Sequence, residues 1–206
     1  MWELSQELIN AFPSYLKEDI LYIEKNTKSK SNLSWGEYYG VRGGFFRVIV
    51  NNEELTIPER HNLKEIQQQN ILDRIFKKDI VLSDTQNSII DCFYTRHCDG
   101  FIREKYCKNI LQQSLNHEWI VPYVLHLTGE YVVEIQQIIF SHLEQLDTSI
   151  FINFILNNKK FYELIKQRVQ SYWNCYYRSK YPKKEDYPGF KILEFFDKNL
   201  PHTISR

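Results

Sequence analysis

Along most of the chain apolar residues recur at spacings of three and four, the sign of helices that each bury one face. Trp2, Leu4, Leu8, Ile9 and Phe12 keep that spacing up to Pro13, and Leu16, Ile20, Leu21 and Ile23 resume it, which predicts an αα hairpin. The Lys/Ser/Asn-rich stretch 26–32 reads as a loop. Ser34 and Glu37 spell a capping box, so a helix is expected from Trp35. The run 45–50 has strand-like character, and Gly36, Gly40, Gly43 and Gly44 each weaken a helix by about 1 kcal/mol relative to alanine. Helix is the reading adopted there, with strand as its alternative.

Further on, Asn62 can cap a helix carrying Leu63, Ile66, Ile71, Leu72 and Phe76. Ser83 and Gln86 form a second capping box ahead of Ile89, Ile90, Phe93 and Tyr94. Asp99-Gly100 turns the chain, and Asp99 caps a helix whose inner face is Phe101, Ile102, Tyr106, Ile110 and Leu111. The stretch 119–146 is the most apolar, and a helix apolar on most sides is buried on most sides. It is expected to be one central helix, with Pro122 in its first turn. Helices over 148–157, 160–181 and 190–199 complete an all-α fold of irregular hairpins or a bundle around it. A length of 206 residues fits one domain, with 1–60 as a potential subregion.

The pair 83–112 resembles a HEAT-type repeat, whose second helix often opens with Asp, then an aliphatic residue and Arg, then an apolar stripe. Here these are Asp99, Ile102, Arg103 and Ile110, while Tyr106 stands where the family usually has a small residue. The resemblance spans about 30 residues, without regular repetition at the roughly 40-residue period of that family. It implies stacked helical pairs and a scaffold or binding role.

Charge alters this picture only in its distribution. The formal net charge is zero, which argues against general attraction to nucleic acid or an anionic membrane. Residues 84–147 nonetheless hold nine acids against four bases, and 159–206 eleven bases against five acids, so the surface is expected to be two-faced. The start lacks the basic region of a secretory signal, and no apolar run reaches the roughly 18 residues of a membrane span. A cytoplasmic location is therefore expected, with Cys92, Cys98, Cys107 and Cys175 as free thiols.

No phosphate-binding loop or nucleophile elbow occurs; the glycine-rich 40–44 has no convincing strand before it. His126, Glu130 and Glu134 recur every four residues on the expected central helix. Such a stripe could be half of a metal site or an acid/base pair; alternatively it is a structural ion-pair network with Arg96, Arg103, Arg168 or Arg178. Asp99 and Arg103 are read as structural polar residues. Cys92, His97, Cys98 and Cys107 cluster in sequence but lack the close CxxC pairs of a zinc site, so no metal or cofactor is expected. The segment 168–178 concentrates Arg168, Tyr172, Trp173, Tyr176, Tyr177 and Arg178, the composition of a binding hot spot. With Lys180, Lys183 and Lys184 after it, this helix could also stack on bases.

The expected function is recognition of another protein, with an immunity-type protein that masks a toxin as its specific form. An enzyme built on His126, Glu130 and Glu134 is the alternative, and nucleic-acid binding by the basic C-terminal third a further one.

Overall fold

A computed structural model describes residues 8–27, 41–63, 82–113 and 117–201. The capping box at Ser34, the helix expected from Trp35 and most of the one expected after Asn62 lie outside these residues, as do Trp2 and Leu4. The described chain is mostly helical, but a two-stranded antiparallel hairpin corrects the all-α expectation.

The hairpin joins β1 (Val41–Val50) to β2 (Glu53–His61), with Phe46 opposite Ile57 and Val48 opposite Leu55. Phe46, Val48 and Val50 are buried while Phe45, Arg47 and Ile49 face out. That period of two, with β-branched residues, overrides the helix expected over 45–50. Asn51 and Asn52 both have positive φ, +50° and +64°, as a two-residue turn matched to strand twist requires. Gly43 and Gly44, at φ +78° and +82°, let the register slip between Arg42 and Phe45. A Cβ on Gly43 would lie 3.3 Å from the Cβ of Glu59, so the bulge makes room for that residue.

Hydrogen bonds dock the hairpin at both ends, from a side chain at one and from backbone at the other. Asn158 accepts from the Ile49 amide at 2.7 Å and donates to the Ile49 and Phe154 carbonyls at 2.8 and 2.9 Å. At the far end the His61 amide donates to the Arg96 carbonyl and the Cys98 amide to the His61 carbonyl.

Helix α1 (Lys17–Thr27) precedes the hairpin, and its last residues occupy part of the stretch read as a loop. After the hairpin come α2 (Asp84–Tyr94), opened by the reciprocal Ser83–Gln86 capping box, and α3 (Gly100–Gln112), capped by the Asp99 carboxylate on the Phe101 amide. The expected central helix is not continuous. It divides into α4 (Val121–Thr128) and α5 (Val133–Ser141), with a turn through Gly129, Glu130 and Tyr131. The Gln136 amide supports the break by donating to the Thr128 and Glu130 carbonyls, both at 2.9 Å. Gly129 permits close packing, since a Cβ there would meet the Cβ of Arg168 at 3.2 Å.

Helices α6 (Thr148–Asn157), α7 (Lys159–Tyr172) and α8 (Pro188–Asn199) close the core. The helix expected over 160–181 changes to a wider π-type turn at Trp173–Tyr177. All of α4 is buried, packed among Trp119, Phe154, Phe161 and Ile165. Among the described residues no helix is long and apolar enough to cross a membrane.

Candidate functional site

Strand β2, the turn after α2, helix α3 and the break after α4 converge on one buried carboxylate. Glu130 accepts from Arg60 Nη2 at 2.5 and 2.7 Å, from Arg96 Nη2 at 3.3 Å and from Arg103 Nη2 at 3.3 Å. Arg96 and Arg103 are fully buried, as is Glu130. Arg103 Nη1 also holds the turn between α2 and α3 by donating to the His97 and Cys98 carbonyls. Arg96 Nη2 donates to the Glu59 carbonyl at 3.1 Å, which ties the same turn to β2.

A second cluster adjoins the first through Glu59. Its carboxylate accepts from Arg168 Nη2 at 2.7 Å and lies 2.9 Å from His126 Nε2, which is itself 2.6 Å from Arg168 Nη1. A neutral imidazole nitrogen either donates to Glu59 or accepts from Arg168, so Nε2 serves one of them at a time. His126 Nδ1 lies 3.9 Å from Glu130 Oε1, beyond hydrogen-bond reach, and it is Arg96 Nη2, bonded to both Glu130 and the Glu59 carbonyl, that joins the two clusters into one network. Phe46 stacks on the His126 ring at 4.6 Å and seals it from the hairpin side.

Burial alone would raise the carboxyl of Glu130, but Arg60, Arg96 and Arg103 overcome it and hold the group below its usual range. Burial likewise opposes ionisation of Glu59, and hydrogen bonds from His126 and Arg168 outweigh it, leaving this carboxyl well below the usual range. Burial and then the charge of Arg96 push His126 down to about 3. Burial and the neighbouring Arg60 lower Arg96 to about 9. At neutral pH the network therefore holds two carboxylates, four guanidinium groups and a neutral imidazole. Glu130 serves as a counter-ion, while His126 has too little basicity to serve as a general base near pH 7.

The stripe of His126, Glu130 and Glu134 is thus divided. The first two meet in the network, whereas Glu134 is exposed on α5, because the chain breaks between Thr128 and Val133. Arg96, Arg103 and Arg168 enter the network, Arg60 joins them, and Arg178 lies instead over the Trp173 ring at 5.6 Å. Arg60 had no sequence signal of its own: only recognition of the hairpin and its bulge would have placed it beside Glu130. A surface cleft of about 530 Å³ lies away from the network, between Tyr15, the hairpin turn at Asn51, Glu118 and Asn153.

The aromatic segment also separates into two faces. Trp173 is buried with Val169; its indole donates to the Tyr181 carbonyl at 2.9 Å and meets Phe190 edge-on. Tyr177 is half-buried, stacks on Tyr187 at 5.4 Å and donates its hydroxyl to the Tyr131 carbonyl at 2.5 Å. These two residues, expected to face a partner, belong to the interior packing because they follow Val169 at i+4 and i+8. Tyr176 points outward, and the half-buried Tyr172 meets Tyr131 across the gap from the Glu130 turn. Ring centroids 6.2 Å apart for Tyr131–Tyr172 and 6.1 Å for Tyr172–Tyr176 make a continuous ladder. Tyr176 is 67 % exposed and Tyr131 47 %. The Arg103 guanidinium lies 5.6 Å from the Tyr131 ring, so the ladder begins where the buried network ends.

Cys92 and Cys107 are buried thiols raised by desolvation, Cys98 is partly exposed and Cys175 exposed. Among the described residues no group of three or more His, Cys, Asp or Glu is arranged to hold a metal ion. The chain matches no protein-family model, and no curated protein or solved structure is significantly similar to it.

Proposed function

We propose that this protein recognises another protein through the ladder formed by Tyr131, Tyr172 and Tyr176. The observation that carries this reading is the contiguity of three tyrosine rings on a rigid support, with Tyr131 and Tyr176 exposed at the ends and the half-buried Tyr172 between them. Tyrosine buries a large amphipathic surface for the loss of few rotors, which is why it is enriched in binding hot spots. The support is fixed from behind: Tyr177 holds the Tyr131 backbone, and Trp173 and Val169 pin the other two tyrosines to the core. A π-type turn lies directly under Tyr176, a feature frequent at functional sites. The HEAT-type likeness of the pair α2 and α3 adds to the reading, since such helical pairs commonly present binding faces.

A toxin-masking, immunity-type role is the specific form proposed. A photo-crosslinking residue placed at 176 should trap one partner. Tyr131→Ser and Tyr176→Ser should each weaken its capture by about 30-fold or more, the cost of a hot-spot residue. Phe140→Ala, an exposed aromatic on α5, serves as the control and should leave capture intact. Co-expression with a trapped toxin should restore growth with the wild-type chain and fail with Tyr176→Ser. Full capture by both tyrosine variants would refute the reading.

A further inference from the structure

The buried network does not balance its charge. Arg60, Arg96, Arg103 and Arg168 face Glu59 and Glu130, a surplus of two positive charges among groups in direct contact. Its donors do not balance either: among the described residues Arg96 Nε and Nη1 and Arg103 Nε are buried without an acceptor. Unpaired guanidinium donors in a low-dielectric interior are costly, and an added anion nearby is the simplest way to lower that cost. Both carboxylates already face these cations, so their charge is fully counted in the surplus.

The network is not closed on all sides. Arg96 and Arg103 form its floor, whereas the side chains of Arg60 and Arg168 are 23 % and 25 % exposed and form its rim. Both rim arginines bond to Glu59, Arg60 to its carbonyl and Arg168 to its carboxylate, so they flank one residue. Arg168 also packs against Gly129, two residues from the exposed Tyr131.

We propose that the rim of Arg60 and Arg168, over the buried Arg96 and Arg103, binds a phosphoryl dianion. The charge selects this class of ligand. A phosphate monoester carries about −1.5 to −2 near neutral pH and can cancel the surplus alone, whereas one carboxylate cancels half of it. Guanidinium forks match phosphate geometry, and a buried floor of like charge strengthens the field at the rim. The adjoining tyrosine ladder offers planar faces to a monoester with an aromatic organic part, such as a nucleoside monophosphate. The site stands whether or not a protein docks on the ladder.

The test uses the full chain at pH 8 and constant ionic strength, with chloride replaced stepwise by inorganic phosphate or by adenosine monophosphate, and with acetate as the monoanion control. Phosphate should raise the melting temperature by about 3–6 °C at ten times its Kd, and acetate should not. Calorimetric titration should return one site per chain. Tighter binding of adenosine monophosphate than of phosphate supports use of the tyrosine faces, and equal binding supports a site for the phosphoryl group alone. Arg168→Gln should weaken either ligand at least tenfold, with Arg168→Lys intermediate because it keeps the charge and loses the fork. No stabilisation and no calorimetric heat from either phosphate would overturn the proposal without recourse to a variant. So would unchanged binding in a folded Arg168→Gln.

Discussion

Replacing Glu130 by glutamine keeps the size of the side chain and removes its charge from beneath three guanidinium groups. The wild-type carboxylate is buried, takes two short contacts from Arg60 and one contact at 3.3 Å from each of Arg96 and Arg103. Without it the network has four cations facing Glu59 alone, and leaving buried charges uncompensated in this way costs about 3–5 kcal/mol. For a chain of this size about 2–4 °C of melting temperature accompanies each kcal/mol, so Glu130→Gln should melt about 6–20 °C lower. Arg96→Met supplies the contrast. It breaks a contact with the same carboxylate, but it removes one cation from a surplus and two buried donors that lack acceptors. Its cost should stay within about 1.5 kcal/mol, because apolar replacement of similar volume offsets the lost pair. Urea denaturation of both variants at pH 7.5, with m-values compared to wild type, measures the difference. Equal losses, or a Glu130→Gln variant within about 1 kcal/mol of wild type, would refute the uneven charge balance from which these magnitudes follow.

Three further outcomes follow from single contacts. Burial holds His61 and His126 near 3 when folded, against 6.5 for the free side chain, so between these values only the unfolded chain takes up their protons. Stability should therefore be full above pH 6.5 and fall as pH drops, by about 2 kcal/mol per histidine at pH 5; urea midpoints at pH 7.5 and 5 check this, and His126→Gln should halve the drop. Glu59 and Glu130, lowered in the fold, add their own loss only as pH falls below their ordinary 4.5. Asn158→Ala should cost about 2–3 kcal/mol, because the Ile49 amide and the carbonyls of Ile49 and Phe154 lose a shared partner; hydrogen exchange at Ile49 should accelerate with it. Gly189→Ala should cost about 1–3 kcal/mol by overpacking, since the new Cβ would lie 2.9 Å from Val169 Cγ1, and a melt at unchanged temperature would contradict that packing.

Local chemistry was legible in the sequence wherever one residue satisfied its neighbours. The Ser83–Gln86 box and the Asp99 cap are recognisable because both partners lie within three residues of each other. The α6 span is equally plain from its spacing and its preceding Asp147. The hairpin has its signal in the alternation of Phe46, Val48 and Val50 and in the Asn51-Asn52 pair, and the glycines that weaken a helix there are the ones that permit the bulge. The break after Thr128 had no comparable local sign: apolar spacing continues through it, and the turn is held by Gln136 and by the approach of Arg168 to Gly129.

The candidate site divides in the same way. The proximity of His126 to Glu130 could be read from their spacing, but Arg60 reaches Glu130 from 70 residues away and Arg168 reaches Glu59 from 109. The sequence by itself determined which residues are charged, which faces are apolar and where the capped helices α2 and α3 begin, because those properties act over one or two turns. Only the tertiary structure decided that four arginines surround two carboxylates, that Trp173 faces inward and that Tyr131 completes the ladder with Tyr172 and Tyr176. Coulomb attraction and desolvation depend on distance in space, and here the chain segments that set those distances meet only in the fold.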